Sequence, residues 1–497
     1  MKILLEMRPA LDGHAGIPQE TRLLFRGLND LAGVSVDGLL QSSTRVLSPG
    51  LPARRWGRPS RRSTLSRDEQ LNRLARVVVS IQQAPAALLP KRVSHAASLL
   101  VSGLSLAARR LVGASHELTY FEAEHFRDFI WRQLFAKTLE PRDIDAVVAA
   151  GYRVSRTPWG AMHRFGLLSR AMTGSASYPR LDTRGYDLFV AETPYPAQVT
   201  SGTRMLVRYH DAIPMLMPHT ISDKAYHQAS HYRALRANVQ AGAYFSCVSE
   251  STRSDLLALF PELEARSSTI HNMISEWYFA EHSPPGRVPE ILRTRRNMRI
   301  EGPREPLSCH PDGSAPLFLL MVSTIEPRKN HLNLLAAWER LRTEQRFAGL
   351  RLVIVGALGW ESKQIIKKFK PWIERGELLL LEDVPADELR QLYRHAVLTV
   401  CPSLYEGFDF SGVEAMRSGG VVAASDIAVH REVYLDAAAF FSPYSAEDMA
   451  LVMTSLLDSS SERDRLRHAG ARVAERYMPK VILPQWATLL QRMAVPK

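Results

Sequence analysis

Cysteine is scarce in this sequence, and its three occurrences, Cys247, Cys309 and Cys401, lie far apart. An odd and scattered set of cysteines supports neither a disulfide framework nor a zinc-binding spacing. Chains that do not use disulfides are typical of a reducing compartment. The cysteine content therefore favours a cytoplasmic protein.

Long hydrophobic runs are also missing. No apolar run reaches the roughly 18 residues that a membrane-spanning helix needs. The opening residues, MKILLEMRPA, contain one lysine and a short apolar run that stops at Glu6. A secretory signal has a longer apolar region, so we expect this segment to form a first β-strand.

Motifs for dinucleotides and metals are missing as well. No stretch reads G-x-G-x-x-G, which argues against dinucleotide binding. The segment RDIDA at 142–146 contains an Asp-x-Asp, which we interpret as a surface turn. Because we find no convincing metal-binding carboxylate motif, the sequence predicts no metal site and no bound cofactor.

Positive charge predominates in the composition. Lysine and arginine number 63 against 51 acidic residues, which gives a net charge of +12. Such a charge favours an anionic partner, such as nucleic acid, a phosphorylated substrate or an acidic membrane surface. Basic and aromatic residues do not interleave as in nucleic-acid-binding proteins, so we predict no nucleic-acid partner. The cluster ARRWGRPSRRSTLSR at 53–67 is either a docking site for an anionic inner membrane face or a solvated part of an insertion.

With 497 residues the chain is too long for one hydrophobic core, so we expect two domains. Short, continuous apolar runs alternate with helical patterns in the second half. These runs are 317–323, 351–356, 377–382, 397–401, 420–425 and 438–442. Continuous runs are typical of parallel strands that are buried on both faces, and their alternation with helices predicts a doubly wound α/β domain.

The first half repeats this pattern less regularly. Its candidate strands are 2–7, 34–40, 186–191, 204–210, 243–248 and 268–272. We interpret residues of about 41–180 as a mostly helical insertion, and the Pro- and Gly-rich region 281–315 as an interdomain linker. The predicted domains are 1–300 and 301–497, with the last helix a candidate to cross back to the first domain.

Polar motifs follow several predicted strands, where open α/β sheets bind ligands. The segment LYEGFDFSGVEAMRSGG (404–420) contains Glu406 and Glu414. The spacing Ser411-x-x-Glu414 is that of a capping box and predicts a helix that begins at Gly412. Glu414 is therefore either a helix cap or a ligand for a ribose diol.

Three further motifs have the same placement. In STIEPRKNH (323–331), Arg328 and Lys329 precede Asn330, a candidate N-cap. Cations are unfavourable at a helix N-terminus, so they indicate either a shared anion or a solvated basic turn. VRYHDAIP (207–214) contains His210, which is either structural or functional. In DGHAGIPQETRLL (12–24), glycines allow close backbone approach to a ligand, and a proline opens a helix.

Jointly, EPRKN, the Glu-x7-Glu pattern, RYHDAIP and VSESTRSDLL (248–257) resemble retaining family 4 glycosyltransferases of the GT-B fold, in particular mannosyltransferases that build polysaccharides. VIVGALGW (353–360) and LEDVPADELRQLYRHA (381–396) resemble the nucleotide-facing loops of that family. The resemblance spans about 316–480 and, less closely, 186–275. It implies two Rossmann-like domains that face a central cleft.

The resemblance also implies roles for individual residues. Glu406 would contact hydroxyls of the donor sugar, His210 would lie over that sugar from the facing domain, and Lys329 would neutralise the diphosphate leaving group. Glu414 would hold the ribose. The other donor-binding residues implied are Arg328, Glu326, Gly16 near the phosphates, Val384 near the base, Phe408, Asp409, Phe410 and Ser411.

Two departures from the family pattern concern the diphosphate. Relatives usually carry Gly-Leu-Pro where this chain has Asp409-Phe410-Ser411, and some have an arginine near Ser323 that is missing here. A carboxylate at ~4 Å from a phosphate charge would cost about 4 kcal/mol at an effective dielectric constant of 20. We therefore predict that Asp409 adopts a glycine-like, left-handed conformation and turns its carboxylate towards an amide, a basic group or an acceptor hydroxyl.

These features predict a metal-independent, retaining hexosyltransferase. Its donor would be a nucleoside-diphosphate hexose or deoxyhexose, with GDP-mannose as the leading candidate. Its acceptor would be a growing surface polysaccharide such as lipopolysaccharide, in the form of a glycan or of a lipid-linked glycan. The alternatives are a sugar-nucleotide epimerase or hydrolase, and a non-catalytic GT-B scaffold of a polysaccharide assembly complex.

Overall fold

The structure, a computed structural model, describes residues 1–11, 13, 16–52, 65–82, 106, 113–282, 284, 286–297, 300 and 317–494. Several features that the sequence singled out lie outside these residues. They are the arginines at 54, 55, 58, 61 and 62, most of the apolar segment 97–113, most of the linker after 297, Cys309, and positions 12, 14 and 15 of the first loop.

The first half of the chain forms an eight-stranded sheet in the order β3-β4-β2-β1-β5-β6-β7-β8. Its strands are parallel except for β3, which runs antiparallel to β4. They are β1 (Lys2–Glu6), β2 (Ser35–Leu40), β3 (Thr119–Phe121), β4 (Gly151–Val154), β5 (Leu188–Ala191), β6 (Arg204–Tyr209), β7 (Tyr244–Cys247) and β8 (Ser267–Thr269).

The second half forms a six-stranded, fully parallel sheet in the order β11-β10-β9-β12-β13-β14. Its strands are β9 (Phe318–Val322), β10 (Arg351–Val355), β11 (Leu378–Leu381), β12 (Leu398–Cys401), β13 (Val422–Ser425) and β14 (Ala438–Phe441). All twelve strands predicted from the sequence are present.

Helices connect these strands in both halves. Those of the first half are α1 (Arg8–Leu11), α2 (Ile17–Asn29), α3 (Arg67–Gln82), α4 (Arg127–Ile130), α5 (Ile144–Ala149), α6 (Trp159–Thr173), α7 (Ile213–Leu216), α8 (Lys224–Gln240), α9 (Glu250–Leu259) and α10 (Arg287–Thr294). Those that follow are α11 (His331–Leu341), α12 (Ser362–Glu374), α13 (Ala386–His395), α14 (Phe410–Arg417), α15 (Ala428–Tyr434), α16 (Ala446–Asp458), α17 (Ser460–Ala474) and α18 (Pro479–Ala494).

Each sheet is covered on both faces, which explains the continuous apolar runs. In β1, Ile3 and Leu5 belong to one hydrophobic cluster and Leu4 to the cluster on the other face. In β9, Leu320 and Met321 likewise face opposite clusters. Successive side chains of a strand point to opposite faces, so a strand buried on both sides must be apolar throughout.

The segment 41–180 contributes more to the sheet than the sequence indicated. Its described part is mostly helical, as expected, but β4 pairs with β2 and β3 pairs with β4. The sequence analysis missed both strands. They have only three and four residues, and in β4 buried and half-buried positions alternate around Arg153, so neither forms a continuous apolar run.

The last described helix, α18, returns to the first domain. Ile482, Trp486, Leu490 and Met493 are buried in the same cluster as Ile3 and Leu5. The indole ring of Trp486 is fully buried. The first domain is therefore completed by chain that follows the entire second sheet.

Candidate active site

The two domains meet where the loop after β6 lies against the loop after β12. A Cβ added to Gly407 would overlap the carbonyl oxygen of His210, so only glycine permits this approach. Thr252 Oγ1 donates a hydrogen bond to the Gly407 carbonyl at 3.3 Å, and Tyr405 Oη donates to Asp255 Oδ2 at 2.5 Å. These contacts bring the VRYHDAIP motif (207–214) against the LYEGFDFSGVEAMRSGG motif (404–420).

A second contact between the domains is made by α9, which carries the VSESTRSDLL motif. Ser249 caps this helix, and the amides of Glu250 and Ser251 donate to the carboxylate of Glu432 on α15, at 2.7 and 2.9 Å. His271 Nε2 lies 2.8 Å from the same carboxylate. A negative charge is favourable at a helix N-terminus, so Glu432 stabilises the contact between the domains.

Glu406 precedes Gly407, the residue that contacts His210, and is 7% exposed. Its carboxylate accepts from Arg328 Nη1 at 2.9 Å and forms an ion pair with Lys329. Arg328 also pairs with Glu326, at 2.7 Å. Burial alone would raise the pKa of Glu406, but Arg328 and Lys329 outweigh it and hold this pKa below the ordinary value. Glu406 is therefore ionised at neutral pH and orients both cations.

The two cations lie in a 3₁₀ turn, Pro327–Lys329, that connects β9 to α11. Asn330 occupies the N-cap position of α11, as predicted, with φ 64°. The prediction that its side chain caps the helix is wrong. Its amide donates instead to the carbonyls of Pro402 and Pro443, at 2.9 and 2.7 Å. Asparagine tolerates the left-handed region, and this conformation ties the basic turn to the loop after β12.

His210 is the first residue after β6 and is 9% exposed. Its Nε2 lies 3.2 Å from Glu192 Oε2, at the carboxyl end of β5. Burial, and then the charge of Arg208, lowers the pKa of His210 to about 4. Burial raises the pKa of Glu192 to about 8. At neutral pH the pair is therefore uncharged, and the hydrogen bond between the two side chains fixes the orientation of the imidazole ring.

Beneath this pair lies a buried charge network that the sequence analysis missed. Arg208 pairs with Glu20 at 2.9 Å, and Arg8 with Glu6 at 2.7 Å. The Glu192 amide donates to Glu6 Oε2 at 3.0 Å. A carboxylate at the end of each apolar strand, as in LLE and FVAE, is the signal that could have indicated this network.

Asp409 behaves as predicted. Its φ is 66°, in the left-handed region, and its Oδ1 accepts from the amide and the hydroxyl of Ser411, at 3.1 and 2.6 Å. Its Oδ2 faces His430 Nε2 at 3.2 Å. Burial opposes ionisation, but the hydrogen bond from His430 lowers the pKa of Asp409 well below the ordinary value. The carboxylate is thus turned towards an amide, a hydroxyl and an imidazole ring.

Glu414 is not a helix cap, which corrects one of the two sequence interpretations. Helix α14 begins at Phe410 rather than Gly412, and its N-cap is Asp409. The Glu414 carboxylate accepts instead from Gln19 of α2, at 2.8 Å, and from Tyr393, at 3.1 Å. Burial raises the pKa of Glu414 to about 7, although both hydrogen bonds lower it. Gln19, which the sequence analysis did not single out, links the two domains here.

The aromatic residues of this motif are part of the core. Phe408 is 3% exposed and contacts Phe410 and Tyr477 at ring-centroid distances of 5.3 and 5.2 Å. Their rings are therefore held by packing, and any ligand at this turn would meet main-chain groups. Of the N-terminal amides of α14, that of Ser411 is already bonded to Asp409.

Two further predicted donor residues, Gly16 and Val384, lie in loops of the first and second domain. Gly16 is at the N-cap of α2 with φ 72°, and Pro18 is the second residue of that helix. Val384 lies in the loop between β11 and α13 and is half-buried against the core of the second domain. Both lie near the amino ends of helices, and their approach to the phosphates and to the base stays a prediction.

Two absences apply to the described part of the chain. Within it, no group of three or more histidine, cysteine, aspartate or glutamate side chains is arranged to hold a metal ion. Nor does any helix there combine the length and the apolar character needed to cross a bilayer.

Comparison with known proteins identifies the second domain. Residues 311–473 match the family described as "Glycosyl transferases group 1". Over these residues the chain is similar to the group 1 glycosyltransferases. The resemblance that the sequence motifs indicated is thereby confirmed.

Relatives of this glycosyltransferase segment include bacterial mannosyltransferases. The chain is 26% identical over 278 residues to the O-antigen chain mannosyltransferase B of Escherichia coli, a match that covers 55% of this chain and 66% of that protein. It is 31% identical over 160 residues to a serotype-specific mannosyltransferase WbdA of Escherichia coli, covering 32% of this chain and 20% of that protein. The chain therefore spans less than two thirds of these relatives.

A solved structure matches almost the whole chain in fold. The sucrose-phosphate synthase of Thermosynechococcus elongatus superposes with a TM-score of 0.57 over 99% of this chain and 98% of that structure, at 13% identity. At this identity the likeness shows the fold alone. The predicted GT-B architecture of two Rossmann-like domains is confirmed.

Proposed function

We propose that this protein is a retaining, metal-independent hexosyltransferase that moves a hexose or deoxyhexose from a nucleoside-diphosphate sugar to a growing surface polysaccharide. The observation that carries the proposal is the position of Glu406. Its carboxylate holds Arg328 and Lys329 at the domain interface, beside the loop that presents His210.

This arrangement suits the departure of a nucleoside diphosphate from an anomeric carbon. The difficult step is the growth of negative charge on the leaving group, and cations that are already oriented stabilise that charge without reorganisation. Lys329 and Arg328 would do this directly, and Glu406 would contact the hydroxyls of the donor sugar. The uncharged His210–Glu192 pair would offer a neutral hydrogen-bonding group from the facing domain.

The names of the relatives support mannose as the sugar and an O-antigen-type polysaccharide as the product. GDP-mannose is therefore the donor that we propose first. A lipid-linked glycan acceptor and peripheral binding at the inner membrane face would agree with the net charge of +12. Retention of the anomeric configuration is proposed from the family resemblance.

The experiment is a transfer assay with purified protein, a panel of GDP- and UDP-sugars, and O-polysaccharide or its lipid-linked precursor as acceptor. A thermal-shift screen selects the donor first, since a ligand at ~100 times its dissociation constant adds about 2.7 kcal/mol of stability. We expect transfer that persists in EDTA and an α-linked product from an α-linked donor. Glu406→Gln serves as the inactive control.

Other outcomes would favour the alternatives. Epimerised or hydrolysed nucleotide sugar without transfer would indicate an epimerase or hydrolase. Nucleotide-sugar binding without any turnover would indicate a scaffold. Loss of transfer in EDTA that Mg²⁺ restores would contradict the metal-independent part of the proposal alone.

A further inference from the structure

His430 lies on α15, behind the turn that joins β12 to α14, and is fully buried. Its Nδ1 is 2.9 Å from the carbonyl oxygen of Ser425 and 3.0 Å from the hydroxyl of the same residue. Its Nε2 is 3.2 Å from Asp409 Oδ2. The ring therefore has a polar neighbour at each nitrogen.

Each of these neighbours is an acceptor. The Ser425 hydroxyl donates its hydrogen to the Ser403 carbonyl at 2.6 Å, so it can only accept from His430. A neutral imidazole carries one N–H, whereas this environment requires one at each nitrogen. The ring of Tyr434 stacks on His430 at 5.0 Å with an interplanar angle of 21°, and an aromatic face is favourable for a cation.

The charge of His430 matters because acids outnumber bases among its neighbours. The ion-paired groups of the second domain at this site are the carboxylates of Glu326, Glu406 and Asp409 and the cations of Arg328 and Lys329. Three negative and two positive charges leave a net charge of −1. An imidazolium at His430 brings the sum to zero and so removes the net negative charge that would oppose an anionic ligand.

Asp409 lies at the start of helix α14. Asp409 caps α14, the helix whose N-terminus would face the diphosphate in the proposed function, and Tyr434 packs against Gly412 in the first turn of the same helix. Without a partner, the Asp409 carboxylate would repel a bound diphosphate. With His430 protonated, the Asp409–His430 pair is neutral overall and holds the turn.

We propose that His430 is a positioning residue held as an imidazolium, and that it neutralises Asp409 so that the diphosphate of a sugar nucleotide can bind beside this turn. The proposal rests on the proposed function.

The protonation state can be measured without any substitution. In protein labelled with ¹⁵N-histidine, the ring nitrogens of His430 are assigned by the signals that disappear in His430→Gln. We expect two protonated nitrogens at pH 7. A neutral ring in the wild type would overturn the proposal.

The effect on binding is tested with inorganic pyrophosphate and with GDP, by calorimetry, on four proteins: wild type, His430→Gln, Asp409→Asn and the double variant. An unpartnered carboxylate near a phosphate charge should weaken binding by about ten- to a hundredfold in His430→Gln. Because Asp409→Asn removes that carboxylate, the double variant should recover to within about threefold of the wild type. A residue that only supports the fold would give a double variant no better than His430→Gln.

Asp426→Asn is the matched control. Asp426 pairs with Arg431 at 2.7 Å near the same helix, but it is half-exposed and outside the site, so binding should not change. Wild-type affinity in a folded His430→Gln protein, or no recovery in the double variant, would refute the inference while leaving the proposed function intact. If the wild type binds neither pyrophosphate nor any nucleotide, the donor site itself is refuted, and the inference about diphosphate binding fails with it.

Discussion

Replacement of Lys329 by methionine tests the electrostatic role of the basic turn. Glu326 and Glu406 balance Arg328 and Lys329, so this cluster of four groups is neutral. Lys329→Met makes it −1 and keeps the length of the side chain. Arg328 retains both of its carboxylate partners, and Glu406 still accepts from Arg328 at 2.9 Å.

We expect Lys329→Met to lose one charge-assisted contact with the leaving group. Such a contact contributes about 1.5–3 kcal/mol, which corresponds to roughly 10- to 150-fold in rate. Negative charge grows on the leaving group as it departs, so the loss should appear in kcat as well as in KM. Since Glu406 is not left without a partner, the melting temperature should change little.

The assay is steady-state sugar transfer, together with thermal unfolding of each variant. Lys370→Met is the control, because Lys370 is 72% exposed and its nearest acid, Glu374, lies 3.9 Å away. Wild-type kcat in a folded Lys329→Met protein would remove Lys329 from the mechanism. A change in KM alone would show that Lys329 binds the donor equally well before and during departure.

Three further predictions concern other parts of the molecule. Gly407→Ala should force the two loops apart at His210 and lower kcat about a hundredfold without unfolding either domain, as a transfer assay with circular dichroism would show; normal activity would contradict the close approach. Glu414→Gln should weaken nucleotide affinity at an unchanged melting temperature, and in the wild type that affinity should fall as the pH drops below about 7. Because the pKa of Glu414 is raised from 4.5 to about 7, the wild type should also lose stability as the pH rises through that interval, and Glu414→Gln should not. Glutamine at positions 54, 55, 61 and 62 should reduce co-sedimentation with anionic vesicles at low salt, since each basic residue contributes about 1 kcal/mol at most; unchanged binding would refute membrane docking by this cluster.

The sequence was most informative where function requires a polar group in the segment that follows a buried strand. Glu406, Lys329, His210 and Asp409 all lie at such positions, and the apolar run before each one made it visible. The conformation of Asp409 could also be predicted, because few residues other than glycine accept a positive φ.

Partners contributed from distant parts of the chain could not be predicted. Gln19 and Glu414 are 395 residues apart, and no local pattern indicates that they meet. The capping-box interpretation failed because Asp409 already supplies an N-cap two residues earlier, a competition between neighbours that spacing alone does not resolve.

The return of α18 to the first domain sets an order of events during synthesis. Ile482 and Trp486 leave the ribosome after the whole second sheet, yet they belong to the core around β1. At about 5–20 residues per second, the roughly 190 residues between position 297 and Trp486 take some 10–40 s to make. During that time the first domain exposes the apolar site that the indole ring of Trp486 later fills. The nascent chain is therefore expected to bind chaperones at this site until α18 docks.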